Sequence, residues 1–411
     1  MNRDGKLIFI AITLLVNAAN YLLNILLARW LGPAYFAEAN LLSTLVLFLS
    51  FIAVGVQLTI AKLVAANQSG GLYSLRRKLV KVAYGSTIVL LLLAYPLAVF
   101  LNLMEVWPLV ILFLGLPAYL LMCFDRGQFQ GREEFSKLGY TFLIEMLIRF
   151  LLTISLALIL PIAFSSYAFA IGFLGSFVLT QYFFKQELIM TKGAATHLKS
   201  IYLFLKVITL YELSQILINN ADVLLVNHLF SDIEAGLYAS IAILGKAVFF
   251  ATSIVVTILF PKVIDRKRQG LSHTRLFWTS FLIVFCVGML MVLAAAVAGQ
   301  QVMLLAFGEA YAGVSDCLWQ YALLTCLFSC SNIFVYYYMT LDAYWPVVIS
   351  VVAGVIQVAL ILIYGTSIVS VLAIQLYVMA ALLLVLLTYH FIKHFSWTSA
   401  KVATPALSNS L

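Results

Sequence analysis

Glu212, Gln215, Asn219 and Asp222 follow one another at spacings of three, four and three in an otherwise apolar stretch, so on a helix they form one polar stripe. An ion at the centre of a membrane span costs about 2.5–3.5 kcal/mol, so two carboxylates there call for partners on another helix or for a water-filled wall. Such carboxylates can take up a proton or hold Na⁺, and the amides between them can meet hydroxyls. Thr13, Asn17, Asn20 and Asn24 make a second stripe, at spacings of four, three and four. Helix-to-helix hydrogen bonding and the lining of a cavity are both open readings of each stripe.

Three cations stand apart from the rest of the charge. Arg149 follows Glu145 by four residues, the spacing of a helical ion pair, so it is either structural or a binding group. Lys246 has no acid three or four residues away and must find a partner elsewhere, snorkel or face water. Arg29 adjoins Trp30, as at a membrane interface. Arg and Lys beside amides and acids suit a polyanionic head group bearing sugars, because guanidinium grips phosphate with paired hydrogen bonds and Asn or Gln match hydroxyls. A carrier of hydrophobic cations would instead want acids and aromatics with few bases. We therefore assign Arg29, Arg149, Lys246, Asn17, Asn20, Asn24, Gln215 and Asn219 to substrate binding, and Glu145, Glu212 and Asp222 to ion coupling.

Long apolar helices must position these residues. The chain of 411 residues is 64% hydrophobic and only 10% charged, too apolar for a soluble surface. An apolar run of about 20 residues spans the hydrocarbon core as a helix. Twelve such runs are predicted, near 7–28, 39–61, 82–103, 107–124, 139–161, 167–185, 204–227, 236–260, 276–298, 314–337, 346–364 and 369–391. All 24 Lys and Arg except Arg29, Arg149 and Lys246 fall in alternate gaps, among them Arg76, Arg77, Lys78, Lys81 and Arg126, which predicts that both termini are cytoplasmic. Trp30, Trp107, Trp278, Trp319, Trp345 and Trp397 lie near predicted helix ends, where indoles prefer the interface. The net charge of +8 thus reports topology rather than nucleic-acid binding.

The first run is too long for a cleaved signal core and reads as a retained helix. The longest outer gap is near Gly299 to Gly313, and the longest inner gaps are 62–81 and 186–203. The predicted organisation is an N-terminal six-helix bundle over 1–190, a cytoplasmic linker over 191–203, a C-terminal six-helix bundle over 204–395 and a polar cytoplasmic tail over 396–411. Ala39–Lys62 overlays Ala239–Lys262 as a hydropathy echo, so the halves read as parallel repeats about an axis along the membrane normal, their polar stripes forming two walls of one cavity. Cys123, Cys286, Cys317, Cys326 and Cys330 lack metal-ligand spacing and read as packing residues. No catalytic group, metal or cofactor is indicated.

LLARWLGPAYFAEANLL (Leu26–Leu42), DRGQFQGREEFSKLGYTFLIEMLIRF (Asp125–Phe150), NNADVLLVNHLFSDIEAGLYASIAIL (Asn219–Leu244) and LFPKV (Leu259–Val263), in this order, resemble the polysaccharide-transport family of Wzx-type flippases within the multidrug/oligosaccharidyl-lipid/polysaccharide (MOP) exporter superfamily. The resemblance implies an all-α, MATE-like, two-bundle carrier of the bacterial inner membrane. It would move an undecaprenyl-diphosphate-linked oligosaccharide to the outer leaflet by alternating access, for O-antigen, capsule or exopolysaccharide assembly, beside a polymerase and chain-length machinery. It also implies charged cavity residues on the spans that carry Arg29, Arg149, Asp222 and Lys246. Two rivals are a cation-coupled multidrug exporter of the same superfamily and a membrane polysaccharide polymerase or glycosyltransferase. The latter needs an outer catalytic loop, and the short outer gaps offer little beyond Asp232, Glu234, Glu309 and Asp316.

Overall fold

The computed structural model describes residues 3–65, 72–185, 198–252, 271–341 and 343–402, together with Val255, Val263, Arg266 and Gln269; side chains of 3, 4, 6, 198–204 and 394–402 fall outside the description. Among the described residues the structure is helical, without strands. We number the helices α1 (Arg3–Ala65), α2 (Leu72–Phe100), α3 (Trp107–Leu114), α4 (Leu116–Gly131), α5 (Phe135–Ile159), α6 (Ser165–Phe184), α7 (Leu198–Leu229), α8 (Asp232–Gly245), α9 (Thr274–Ala306), α10 (Leu318–Thr340), α11 (Trp345–Tyr364) and α12 (Ile368–Val402).

The first two predicted spans are arms of the single long helix α1, which bends at Gly32. There φ is 73° and ψ 172°, a left-handed backbone that suits glycine, and Pro33 follows to fix the exit direction. The span predicted at 107–124 is likewise divided, into α3 and α4 at Gly115. Ten helical segments among the described residues are long and apolar enough to cross a membrane, the whole of α1 counting as one and α7 not among them.

Several gaps are more helical than predicted. Because α2 begins at Leu72, Arg76, Arg77, Lys78 and Lys81 lie on its first turns rather than in a loop. The outer gap at 299–313 is helical to Ala306 and then tightens into a 3₁₀ segment, Glu309–Cys317. The predicted linker at 191–203 lies outside the described residues up to 197, and from Leu198 it is the start of α7. The predicted tail is helical to Val402, and 403–411 lie outside the described residues, as do Leu259–Lys262 of the LFPKV segment.

Two compact units can be separated: Met1–Ser240 with Met303–Val314, and Ile241–Val302 with Ser315–Leu411. This division follows packing density, and its boundary within α8 differs from the hydropathy boundary at 191–203.

In the first unit α1 packs on α4, α5, α6 and α7, and α5 packs along α6. Small residues permit the approach. A Cβ at Gly127 would lie 2.5 Å from the Gln57 carbonyl oxygen, and one at Gly131 would lie 2.6 Å from that of Ala61, so the two glycines of GQFQG seat α4 directly on α1. Gln57 Nε2 donates to Gln130 Oε1 across the seam at 3.0 Å. Buried Ala168, Gly172 and Ser176 recur every fourth residue along α6, Gly172 facing Thr153 of α5. At the far end of α7, Asn227 Nδ2 donates to the Leu101 carbonyl at 2.6 Å, and Asn102 Nδ2 returns a bond to that of His228 at 2.8 Å.

The second unit is tied at one end by aromatic packing. His273 pairs with the Tyr337 hydroxyl at 2.7 Å and His390 with that of Tyr338 at 3.0 Å, while Phe277 stacks on His390. Cys326 lies against Gly288, a packing role for that thiol.

Candidate functional site

The charged centre of the first unit is built on α5, where Thr141, Glu145 and Arg149 succeed one another every fourth residue and share a face. The close helix seam brings a residue that the charge pattern had placed in a cytoplasmic gap: Arg126 of α4 is only 3% exposed. Its Nη2 meets Glu145 Oε2 at 2.7 Å, its Nε donates to Thr141 Oγ1 at 2.9 Å, and Nη2 also reaches the Thr141 carbonyl at 3.0 Å. The ring of Phe142 lies 4.0 Å from the guanidinium carbon.

The expected Glu145–Arg149 pair is therefore secondary, its Nη1 to Oε1 distance being 3.7 Å. Arg149 commits Nη2 instead to Asn20 Oδ1 of α1, at 2.6 Å, and to the Met146 sulfur at 3.0 Å, with Phe173 of α6 4.7 Å from its guanidinium carbon. The Nε of Arg149 is buried without a hydrogen-bond partner. Of its five N–H donors, the one on Nε and the two on Nη1 have no acceptor within hydrogen-bonding distance among the described residues, Nη1 standing 3.7 Å from Glu145.

The α1 stripe is partly used by its own helix. Thr13 donates to the Phe9 carbonyl, Asn20 Nδ2 to that of Val16 at 3.1 Å, and Asn24 Nδ2 to that of Asn20 at 2.8 Å. What remains for a ligand on these amides is Asn24 Oδ1, buried and unpartnered, and Asn17, half-buried with no hydrogen bond among the described residues. Arg29 is not brought to this group. Nine residues after Asn20, it points to roughly the opposite side of α1 and is exposed, with Nη1 3.3 Å from the Leu305 carbonyl.

The α7 stripe divides along its length. Gln215 and Asp222 are buried, whereas Glu212 and Asn219 are half-buried. Asp222 accepts from the Tyr238 hydroxyl of α8 at 2.7 Å, so one of the two acids is engaged within the α7–α8 contact. Among the described residues, Glu212 has no hydrogen-bond or ion-pair partner. Gln215 is 91% buried, and neither its amide nitrogen nor its oxygen has a partner. Lys246 is half-buried at the break that ends α8 and belongs to the second unit.

Since an unsatisfied buried amide costs about 1–3 kcal/mol, Gln215→Leu is expected to leave thermal stability equal to or above wild type while reducing transport. Thermal unfolding in detergent beside a transport assay checks this. A stability loss with full transport would make Gln215 a structural residue.

Arg126 was missed from sequence because a charged residue after an apolar run reads as a loop, and Thr141, inside the run at 139–161, carries no charge to single it out. Two signals were available: Phe129 carries the apolar pattern beyond Arg126, and Gly127 and Gly131 carry the spacing of a close helix contact. Asp125 was missed with them. It is buried, and accepts from Gln128 Nε2 at 3.0 Å and Gln181 Nε2 at 2.9 Å.

No protein-family model matches the chain, and no curated protein does. Solved structures do match. A lipid II flippase MurJ in an inward closed conformation superposes with a TM-score of 0.77 at 11% identity, over 93% of this chain and 87% of that one. An inward-facing multidrug resistance MATE family transporter of the MOP superfamily gives 0.73 at 12% identity, over 97% and 99%. A MOP superfamily transporter from Pyrococcus furiosus, described as having a binding pocket of reversed polarity, gives 0.58 at 12%, over 94% of each chain. The chain thus has the all-α, two-bundle fold of MOP superfamily transporters.

Proposed function

We propose that the chain is a flippase that carries a polyprenyl-diphosphate-linked oligosaccharide across the bacterial inner membrane by alternating access, as the sequence resemblance implies. The observation that carries this reading is Arg149: a guanidinium in mid-span, fixed by Asn20, whose Nη1 stays 3.7 Å from Glu145 and so keeps its N–H groups for phosphate oxygens. A solved neighbour of the fold is described as a lipid II flippase. Arg29 and Lys246 are kept as further substrate-binding cations on the strength of the sequence pattern. Asn17, Asn24, Gln215 and Asn219 offer amides to sugar hydroxyls, and Glu212 and Asp222 bind the coupling H⁺ or Na⁺. Both termini are cytoplasmic, residues 1–190 and 204–395 are the two repeats, and the product passes to a polymerase with its chain-length partner.

Deletion of the gene tests this in cells. Surface polysaccharide should fall, and the lipid-linked repeat unit should accumulate at the inner leaflet. Unchanged surface glycan with no accumulated intermediate would exclude the role.

A second reading, a cation-coupled multidrug exporter, is favoured by Glu212, a half-buried carboxylate with no counter-ion among the described residues, which suits a lipophilic cation, and by the MATE neighbour. Ion-dependent dye efflux that is lost in Glu212→Gln and indifferent to Arg149 would select it.

A further inference from the structure

Glu145 lies between two guanidinium groups. Arg126 holds one carboxylate oxygen at 2.7 Å, and Arg149 approaches the other only to 3.7 Å. The difference originates in the helices. Gly127, next in sequence to Arg126, has no side chain and seats α4 on α1; Thr141, one turn before Glu145 on α5, then gives Arg126 an oxygen acceptor on its hydroxyl and another on its carbonyl. A third restraint is the ring of Phe142 beneath the guanidinium. Arg126 is thereby fixed on every side and is almost fully buried, so no ligand can reach it.

We propose that Arg126 is a positioning residue: by occupying the Glu145 carboxylate it keeps the Arg149 guanidinium open to an anionic head group. The inference rests on the reading that Arg149 grips a diphosphate. Without Arg126, a buried carboxylate at position 145 would be left without its partner, and the remaining cation within reach on the same helix face is Arg149, one turn away. Closing from 3.7 Å to a full ion pair would turn Nη1 of Arg149 toward Glu145 and remove donors otherwise free for phosphate. Two arginines around one glutamate leave the trio with a single net positive charge, and the geometry assigns that charge to Arg149.

The test is binding of farnesyl diphosphate to the purified full-length protein in detergent, with farnesol and inorganic diphosphate as control probes. Arg126→Met should weaken binding by about tenfold or more, the effect of losing one charge-assisted contact. The double variant Arg126→Met with Glu145→Gln should recover to within about threefold of wild type, because the amide no longer competes for Arg149. A purely structural Arg126 would give no such recovery, since the double variant still lacks every bond that Arg126 made to Thr141. If Arg126→Met fails to fold, Glu145→Gln alone decides: removing the competing charge should tighten binding about threefold, and unchanged or weaker binding overturns the proposal.

The outcomes separate the two claims. Loss of binding in Arg149→Ala with no effect of Arg126→Met, or with no recovery in the double variant, overturns the positioning role and leaves the diphosphate reading intact. Wild-type protein that fails to bind farnesyl diphosphate, or an Arg149→Ala variant that binds as wild type does, overturns both. Equal binding of farnesol would show that the prenyl chain alone is recognised, with the same consequence. Equal binding of inorganic diphosphate would keep the Arg126 role and assign recognition to the phosphates.

Discussion

Arg149→Ala is expected to reduce surface polysaccharide to the level of a strain lacking the gene, with the protein still present in the membrane. Two charge-assisted hydrogen bonds to phosphate contribute about 1.5–3 kcal/mol each, so their joint loss corresponds to roughly a hundredfold or more in affinity. The fold should tolerate the change. Glu145 keeps its closer partner Arg126, and the group left unpaired is the side-chain oxygen of Asn20. Arg149→Lys should be intermediate, because an ammonium restores the charge but not the planar fork of donors. Quantifying surface glycan alongside membrane abundance checks both variants. Wild-type glycan in Arg149→Ala would remove this residue from the transport route.

Gly236→Val is expected to abolish folding. Gly236 lies in the first turns of α8, and a Cβ there would overlap the carbonyl oxygen of Pro33. Neither backbone can yield easily, because Pro33 follows the left-handed Gly32 at the bend of α1 and its own φ is fixed by the ring. Overpacking against backbone at such a site should cost about 3 kcal/mol or more, a large part of a typical folding free energy. Gly313 is the control, since nothing lies within 4 Å of a Cβ placed there. Size-exclusion profiles in detergent should show loss of the monodisperse peak for Gly236→Val and wild-type behaviour for Gly313→Val. A normal profile and melting temperature for Gly236→Val would contradict the close contact.

Much of the architecture was legible because the solvent imposes it. A helix in lipid must be about 20 residues long and apolar, so length and hydropathy alone located the helices that carry Asn20, Arg149 and Glu212. The side-chain partnerships were less legible. Counting charge by gaps treats a cation between apolar runs as solvated, and this misassigned Arg126, whose burial depends on how closely Gly127 and Gly131 let α4 approach α1. The spacing of Glu145 and Arg149 was read correctly as one helical turn, but spacing does not say which of two arginines a carboxylate prefers. The α7 stripe is present as read, yet its division into buried Gln215 and Asp222 and half-buried Glu212 and Asn219 depends on neighbouring helices and not on the period. Gly32 and Pro33 fall between the predicted runs at 7–28 and 39–61. Only the backbone reveals that the helix resumes at once, without an intervening loop.

In the proposed mechanism a diphosphate-bearing lipid is moved through contact with Arg149. Its most direct test is a proteoliposome assay with a fluorescent polyprenyl-diphosphate saccharide, following the fraction of label that a membrane-impermeant reductant can reach. Wild-type protein should carry inner-leaflet label to the outer leaflet, and Arg149→Ala should behave like protein-free vesicles. Label that stays in place with wild-type protein, or moves equally well with Arg149→Ala, would contradict the account.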